Sequence, residues 1–296
     1  MWLIFTLAIL LAPSDDLGAR LLPLIRAHKG KVAIAVKNLR TGESYAFHAD
    51  EPMPTASLIK LAVMAEAYQQ DFEGKLKLSD KVTLHDADKV PGSGILTYHF
   101  SDDATFPLRD AIRLMMAFSD NTATNLVLDR VGIANVDRRM EVWGLPNTKI
   151  NAKVFRGSTT SIYPERTKKF GLGSTTAHEM VKLLEKIERG QGFSPAARKA
   201  MLEHLKKCDD KDKFTRFLPA KVVVAHKTGS VDAARTDAGI LYIGNGPVIL
   251  CVLTDGNADH RWEPDNAGNV LCARVARVVY DYFSAHSAAR PSGKAK

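Results

Sequence analysis

Between positions 16 and 29 the apolar residues fall at Leu17, Leu21, Leu24 and Ile25, the spacing of a helix with one buried face. The period then shortens. Positions 31–37, Lys-Val-Ala-Ile-Ala-Val-Lys, read as a strand, 40–43 as a turn, and 44–48 as the returning strand. From about Ser57 to Lys207 helical spacing dominates, broken by loops rich in Gly, Pro and Ser. Strand signals return at 221–225, 238–243 and 247–253, and a helix over 267–283 closes the chain.

Strands at both ends thus enclose a helical middle. The order predicts an α/β (α+β) architecture: one antiparallel five-stranded sheet built from both termini, flanked by the terminal helices, with an all-α lobe inserted. The expected boundaries are 15–56 plus 218–285 for the sheet lobe and about 57–217 for the helical lobe. A cleft between the lobes is the natural place for a site. No internal repeat is visible.

Composition narrows the function classes. The chain has 296 residues, 45% of them hydrophobic, enough to fill a large core. Its net charge of +8 could favour an anionic partner. However, Lys and Arg are scattered, with short clusters only, such as Lys168-Lys169 and Lys206-Lys207, and no aromatics interleave them. A nucleic-acid partner is therefore not expected. The apolar run 2–12 has the length of a signal-peptide core and is too short to span a membrane, although no Lys or Arg precedes it. Residues 1–14 read as a signal peptide, which places the protein in the periplasm or outside the cell, with no stable membrane span. Residues 286–296, small, polar and basic, read as a disordered tail. Three cysteines, Cys208, Cys251 and Cys272, make no disulfide framework, and the last two sit in apolar runs as packing residues. The histidines lack zinc-ligand spacing, and His178, His226 and His260 read as structural. No metal or organic cofactor is implied, and the chain is taken as a monomer.

Three short constellations carry chemistry. Ser57 and Lys60 open the segment 54–68, which reads as a buried helix. A spacing of three puts both on one face. A serine hydroxyl needs a neighbour to take its proton, and a lysine among apolar groups gives up its own proton more readily. Alone, the pair reads equally as a helix cap followed by an ordinary lysine. Next, Ser119-Asp120-Asn121 lies between two helical patterns: Ser119 could relay a proton and Asn121 hold a substrate amide. Finally, Lys227-Thr228-Gly229-Ser230 ends a strand-like run. Lys227 would supply positive charge, Thr228 and Ser230 would bind a carboxylate, and Gly229 would let a substrate backbone come close.

Together and in this order, the three motifs resemble those of class A serine β-lactamases and penicillin-binding proteins, which are marked by Ser-x-x-Lys, Ser-Asp-Asn and Lys-Thr-Gly. The resemblance covers roughly 16–283 and extends to Pro91-Gly92-Ser93-Gly94 and Thr236-Asp237-Ala238-Gly239. It implies the two-lobed fold already read from the strand order. It also implies Ser57 as the acylated nucleophile, Lys60 as its base and Ser119 as the proton shuttle. Asn121 would contact the substrate amide, and Lys227, Thr228 and Ser230 its carboxylate. Backbone N–H groups of Ser57 and Ser230 would form an oxyanion hole, and Arg235 lies near a carboxylate-binding arginine of many class A enzymes. The implied substrate is a small β-lactam or a D-alanyl peptide-like molecule.

One element is missing. Class A enzymes carry a glutamate on a loop between the second and third motifs, and it activates the deacylating water. Counting places that position near Val154 or near Ser161, neither of them acidic. The only acidic residue from 142 to 178 is Glu165. Either Glu165 reaches the cleft by another route, or it lies at the surface beside Arg166 and deacylation is slow.

Overall fold

The computed structural model describes residues 16–288; the expected signal peptide and positions 289–296 of the expected tail lie outside them. The chain begins with α1 (Leu17–Ala27), capped by Asp16, whose carboxylate accepts from the Gly18 N–H. Strands β1 (Lys31–Asn38) and β2 (Ser44–Phe47) follow. The other three strands come from the far end: β3 (Val223–Val231), β4 (Ala234–Ile243) and β5 (Gly246–Asp255). All pairings are antiparallel and the order is β2-β1-β5-β4-β3, the five-stranded sheet expected from the strand pattern.

The alternation within β1 explains why the sheet is covered on both sides. Val32, Ile34 and Val36 join the core formed with α1 and the closing helix, where Leu21, Val275, Val279 and Phe283 sit. Ala33 and Ala35 point the other way, into the core of the helical lobe. Branched residues thus fill one face, and the small ones let helices approach the other. The closing helix runs from Ala267 to Ala288, beyond the expected 267–283, over a stretch that contains the strong helix formers Ala285 and Ala288.

Four helices of the inserted lobe bear on the site. They are α2 (Lys60–Phe72), α3 (Leu108–Ala117), α4 (Asn121–Val131) and, in the loop expected to hold the missing glutamate, α5 (Pro164–Phe170). A short three-stranded sheet of 53–54, 149–150 and 173–175 holds that loop against the segment leading into α2. Among the described residues, no helix is long and apolar enough to cross a membrane.

One local expectation differs. Ser57 is not the start of an α-helix: Ala56–Ile59 form a 3-10 turn, and the α-helix begins at Lys60. The third motif ends its strand nearly as expected but is paired throughout: Lys227, Thr228, Gly229 and Ser230 all pair with β4, β3 stops at Val231, and the turn falls at Asp232 and Ala233.

Candidate active site

β3 is an edge strand, and its unpaired side meets the 3-10 turn carrying Ser57. A Cβ on Gly229 would lie 2.4 Å from the Thr55 carbonyl oxygen, 2.5 Å from Thr236 Oγ1 and 2.9 Å from the Leu58 nitrogen. Gly229 is thus required by the protein's own backbone. The Thr236 hydroxyl donates to the Thr55 carbonyl at 2.9 Å and completes the clamp. Ala56, just before Ser57, is held at φ 45°, in the left-handed region that costs a residue with a side chain about 1–3 kcal/mol. Ser119 is held in the same region, at φ 53°.

The side chains of the three motifs converge. Lys60 is wholly buried; its Nζ donates to the Ser119 carbonyl at 2.6 Å and to Asn121 Oδ1 at 3.0 Å, and lies 3.2 Å from Ser119 Oγ. Lys227, also wholly buried, reaches Ser119 Oγ from the other side at 3.1 Å and donates to the Thr228 carbonyl at 2.7 Å. The Ser119 hydroxyl therefore bridges two amines. Burial and then the neighbouring Lys227 hold Lys60 well below the ordinary lysine value, with Asp120 opposing. Burial also lowers Lys227, opposed by Cys208 and Asp210. A neutral Lys60 donates two hydrogens, to the carbonyl and amide oxygens, and keeps its lone pair as a proton acceptor. Ser57 is half-buried and faces the cleft.

Asp120 builds this arrangement. It caps α4 by accepting from Ala123 N at 2.8 Å, and its other oxygen accepts from Ile95 N and Leu96 N at 2.7 and 2.9 Å. This ties the 91–96 loop to the second motif, and there Ser93 Oγ donates to the Ser119 carbonyl at 3.1 Å. The Asn121 Nδ2 donates to the Pro91 carbonyl at 3.0 Å, so its amide is already partly engaged in holding the site together.

The cleft has a volume of about 610 Å³. Ser57, Asn121 and Ser230 line it together with Val154, Phe155 and Trp262. Phe155 and Trp262 are 65% and 70% exposed at its rim, an apolar signal that lone aromatics do not give in sequence. No carboxylate lines the cleft among the described residues. Val154 does lie in it, its backbone fixed by two bonds to the Asn125 side chain at 2.8 and 3.0 Å. Glu165 is exposed on α5 and does not line the cleft, while Arg166 donates to Ser174 Oγ.

Two further residues differ from expectation. Thr228 is 5% exposed and does not line the cleft; with Asp210 it lines the neighbouring cavity that Ser119 and Lys227 share. Arg235 is 1% exposed, and its guanidinium donates to the carbonyls of Val231, Asp232, Ala234 and Arg261 while lying under Trp262. It ties the β3–β4 turn to the 261–262 loop; each acceptor it bonds is a backbone carbonyl, and it does not line the cleft. The described residues also hold one grouping with metal-ligand geometry, the exposed His85, Asp102 and Asp103, none of which lines the cleft.

Residues 16–283 match the model of the beta-lactamase enzyme family. The chain is similar to a beta-lactamase of Streptomyces fradiae, 29% identical over 88% of this chain and 84% of the relative. It is also similar to beta-lactamase 3 of Bacillus cereus, 24% identical over 87% and 78%. Among solved structures, PBP-A superposes with a TM-score of 0.79 at 26% identity, covering 93% of this chain and 98% of that one. A variant of PBP-A has been solved as an acyl-enzyme complex with penicillin G.

Proposed function

The chain belongs to the beta-lactamase enzyme family and is a serine hydrolase, and from that premise we propose that it opens β-lactam rings through an acyl-enzyme on Ser57 and hydrolyses that intermediate slowly. The observation that carries this reading is the Ser119 hydroxyl held between two buried lysines, one of them three residues after Ser57. Ser57 Oγ attacks the lactam carbonyl carbon and gives its proton to the neutral Lys60 amine. The carbon–nitrogen bond breaks, and Ser119 passes a proton to the departing nitrogen. Lys60 returns the Ser57 proton to Ser119, and Lys227 attracts the substrate's carboxylate. Ser57 lies in the first turn of its 3-10 helix, where N–H groups lack intrahelical acceptors, so its N–H and that of Ser230 receive the oxyanion.

Deacylation needs a positioned base and a water. With Glu165 at the surface, Val154 at one counted position and Ser161, the other, outside the lining, the cleft offers no carboxylate. The same observation favours a second reading of the natural substrate: a D-alanyl peptide or an ester, for which a β-lactam is a long-lived acylating analogue. The apolar run 2–12 supports a periplasmic or secreted setting.

Mixing the protein with a chromogenic cephalosporin tests the proposal. Ring opening should appear as a burst of one equivalent followed by slow turnover, and Ser57→Ala should show neither phase. A burst that survives in Ser57→Ala would refute Ser57 as nucleophile.

A further inference from the structure

A second cluster of reactive side chains lies behind the cleft. His226 precedes Lys227 on β3, and its Nδ1 bonds both oxygens of Asp237 on β4, at 3.0 and 3.1 Å. His226 and Asp237 are 1% and 0% exposed. The Phe214 ring stacks on the imidazole, and its backbone N–H donates to Asp237 at 3.0 Å. With Nδ1 committed, the other ring nitrogen remains, and His226 and Cys208 line one cavity together. Cys208, His226 and Asp237 thus stand as nucleophile, base and orienting carboxylate.

Cys208 is buried, yet it lines two cavities of about 340 Å³ each. One is shared with His226; the other is shared with Ser119, Lys227 and Thr228. We propose that Cys208 is a thiol-exchange site for small disulfides, and that its occupancy shuts down the Ser57 cleft by displacing Lys227 and Ser119. The Cys208 sulfur forms a new S–S bond with one sulfur of the disulfide. The original S–S bond breaks, and the second sulfur leaves as a thiol with the proton that Cys208 gives up. No other oxidant is needed.

The electrostatics agree with the geometry. The charged groups around Cys208 are His226 and Lys227 on β3, Asp237 on β4, Lys206 just before Cys208, and Asp209, Asp210, Lys211 and Lys213 in the following loop. Burial works against the imidazolium, but Asp237 and Cys208 push His226 up to about 10. Burial also works against the Cys208 thiolate, but His226 and then Lys227 outweigh it and lower that thiol. Burial raises Cys251 and Cys272 instead, so the three thiols separate chemically.

The experiment treats the folded protein at about pH 6 with 4,4′-dithiodipyridine, following release of the thiopyridone and locating the adduct by peptide mass. One equivalent should be released, the adduct should map to Cys208, and Cys251 and Cys272 should stay unmodified. Between about pH 6 and 8 the labelling rate should rise less steeply than that of an ordinary thiol, which gains about tenfold per unit. His226→Asn should slow labelling at least about tenfold at the lower pH. Labelling no faster than at Cys251, or a rate rising like that of an ordinary thiol, overturns the site, and the pH profile decides this even where the variant does not fold.

The coupling to the cleft rests on the proposed acylation of Ser57. The mixed disulfide should acylate with penicillin at least about tenfold more slowly, regain its rate with dithiothreitol, and be absent from a Cys208→Ser variant that acylates normally. Unchanged acylation of the disulfide form overturns the coupling. Failure of the unmodified protein to acylate at all counts against the Ser57 reading and leaves the thiol labelling to stand by itself.

Discussion

Replacing Gly229 with Ala should uncouple the nucleophile from its strand. The added Cβ would stand 2.4 Å from the Thr55 carbonyl oxygen and 2.9 Å from the Leu58 nitrogen, both backbone atoms that cannot rotate away. An ordinary contact needs about 3.5 Å, so β3 and the Ser57 turn must part by about 1 Å. Overpacking of that kind costs about 1–3 kcal/mol. Weakening the Thr236–Thr55 bond adds about 1 kcal/mol. A displacement of about 1 Å between reacting groups costs about 100-fold in rate. The assay is the second-order rate of acylation by a chromogenic cephalosporin, with the urea midpoint measured in parallel. Gly244→Ala serves as the matched control, because a Cβ there meets nothing within 4 Å. If Gly229→Ala acylates within about threefold of the parent and keeps its midpoint, the clamp is not what positions Ser57.

Other substitutions probe separate parts of the account. Lys60→Met should lower acylation about 100- to 10,000-fold by removing the proton acceptor, with the fold intact by circular dichroism. Val154→Glu should place a carboxylate in the cleft and speed decay of the acyl-enzyme at least about tenfold, read as loss of adduct mass with time; an unchanged lifetime would count against base-limited deacylation. Asp120→Ala should cost about 2–4 kcal/mol in urea unfolding, because one helix cap and two loop N–H groups lose their acceptor. The His226–Asp237 pair should make stability pH-dependent. His226 is raised from 6.5 unfolded to about 10 folded, so its contribution is complete below about pH 6.5 and is lost as pH climbs through about 10. Asp237→Asn should flatten that slope and cost about 3–5 kcal/mol at neutral pH, measured by urea unfolding across the range.

The sheet was legible because the period of apolar residues is short and strict where strands are buried on both faces, as in β1. The three motifs were legible because their residue types and order are specific, and the structure gathers Lys60, Ser119, Asn121 and Lys227 within hydrogen-bonding distance of shared partners. What sequence could not give is direction and competition. Arg235 sits opposite Ser230 in the hairpin, but whether its guanidinium turns to the cleft or back to carbonyls is decided by the conformation of the β3–β4 turn. Thr228 has the right hydroxyl, yet it lines the neighbouring cavity and not the one that holds Ser57. Gly229 signals a close approach without saying of what. Phe155, Trp262 and the Cys208–His226–Asp237 cluster are invisible because their members are distant in sequence and meet only after the lobes fold together. The loop before α5 was the one place where motif counting failed to find a residue, and the structure shows an apolar Val154 there.

The central claim is a long-lived covalent intermediate on Ser57, and intact-protein mass tests it most directly. Penicillin G should add one equivalent of its full mass within the burst, and peptide mapping should place it on Ser57. The adduct should outlast removal of free drug, and Ser57→Ala should remain unlabelled. A protein that consumes penicillin without accumulating an adduct would contradict slow deacylation, and an adduct that forms equally on Ser57→Ala would contradict the site itself.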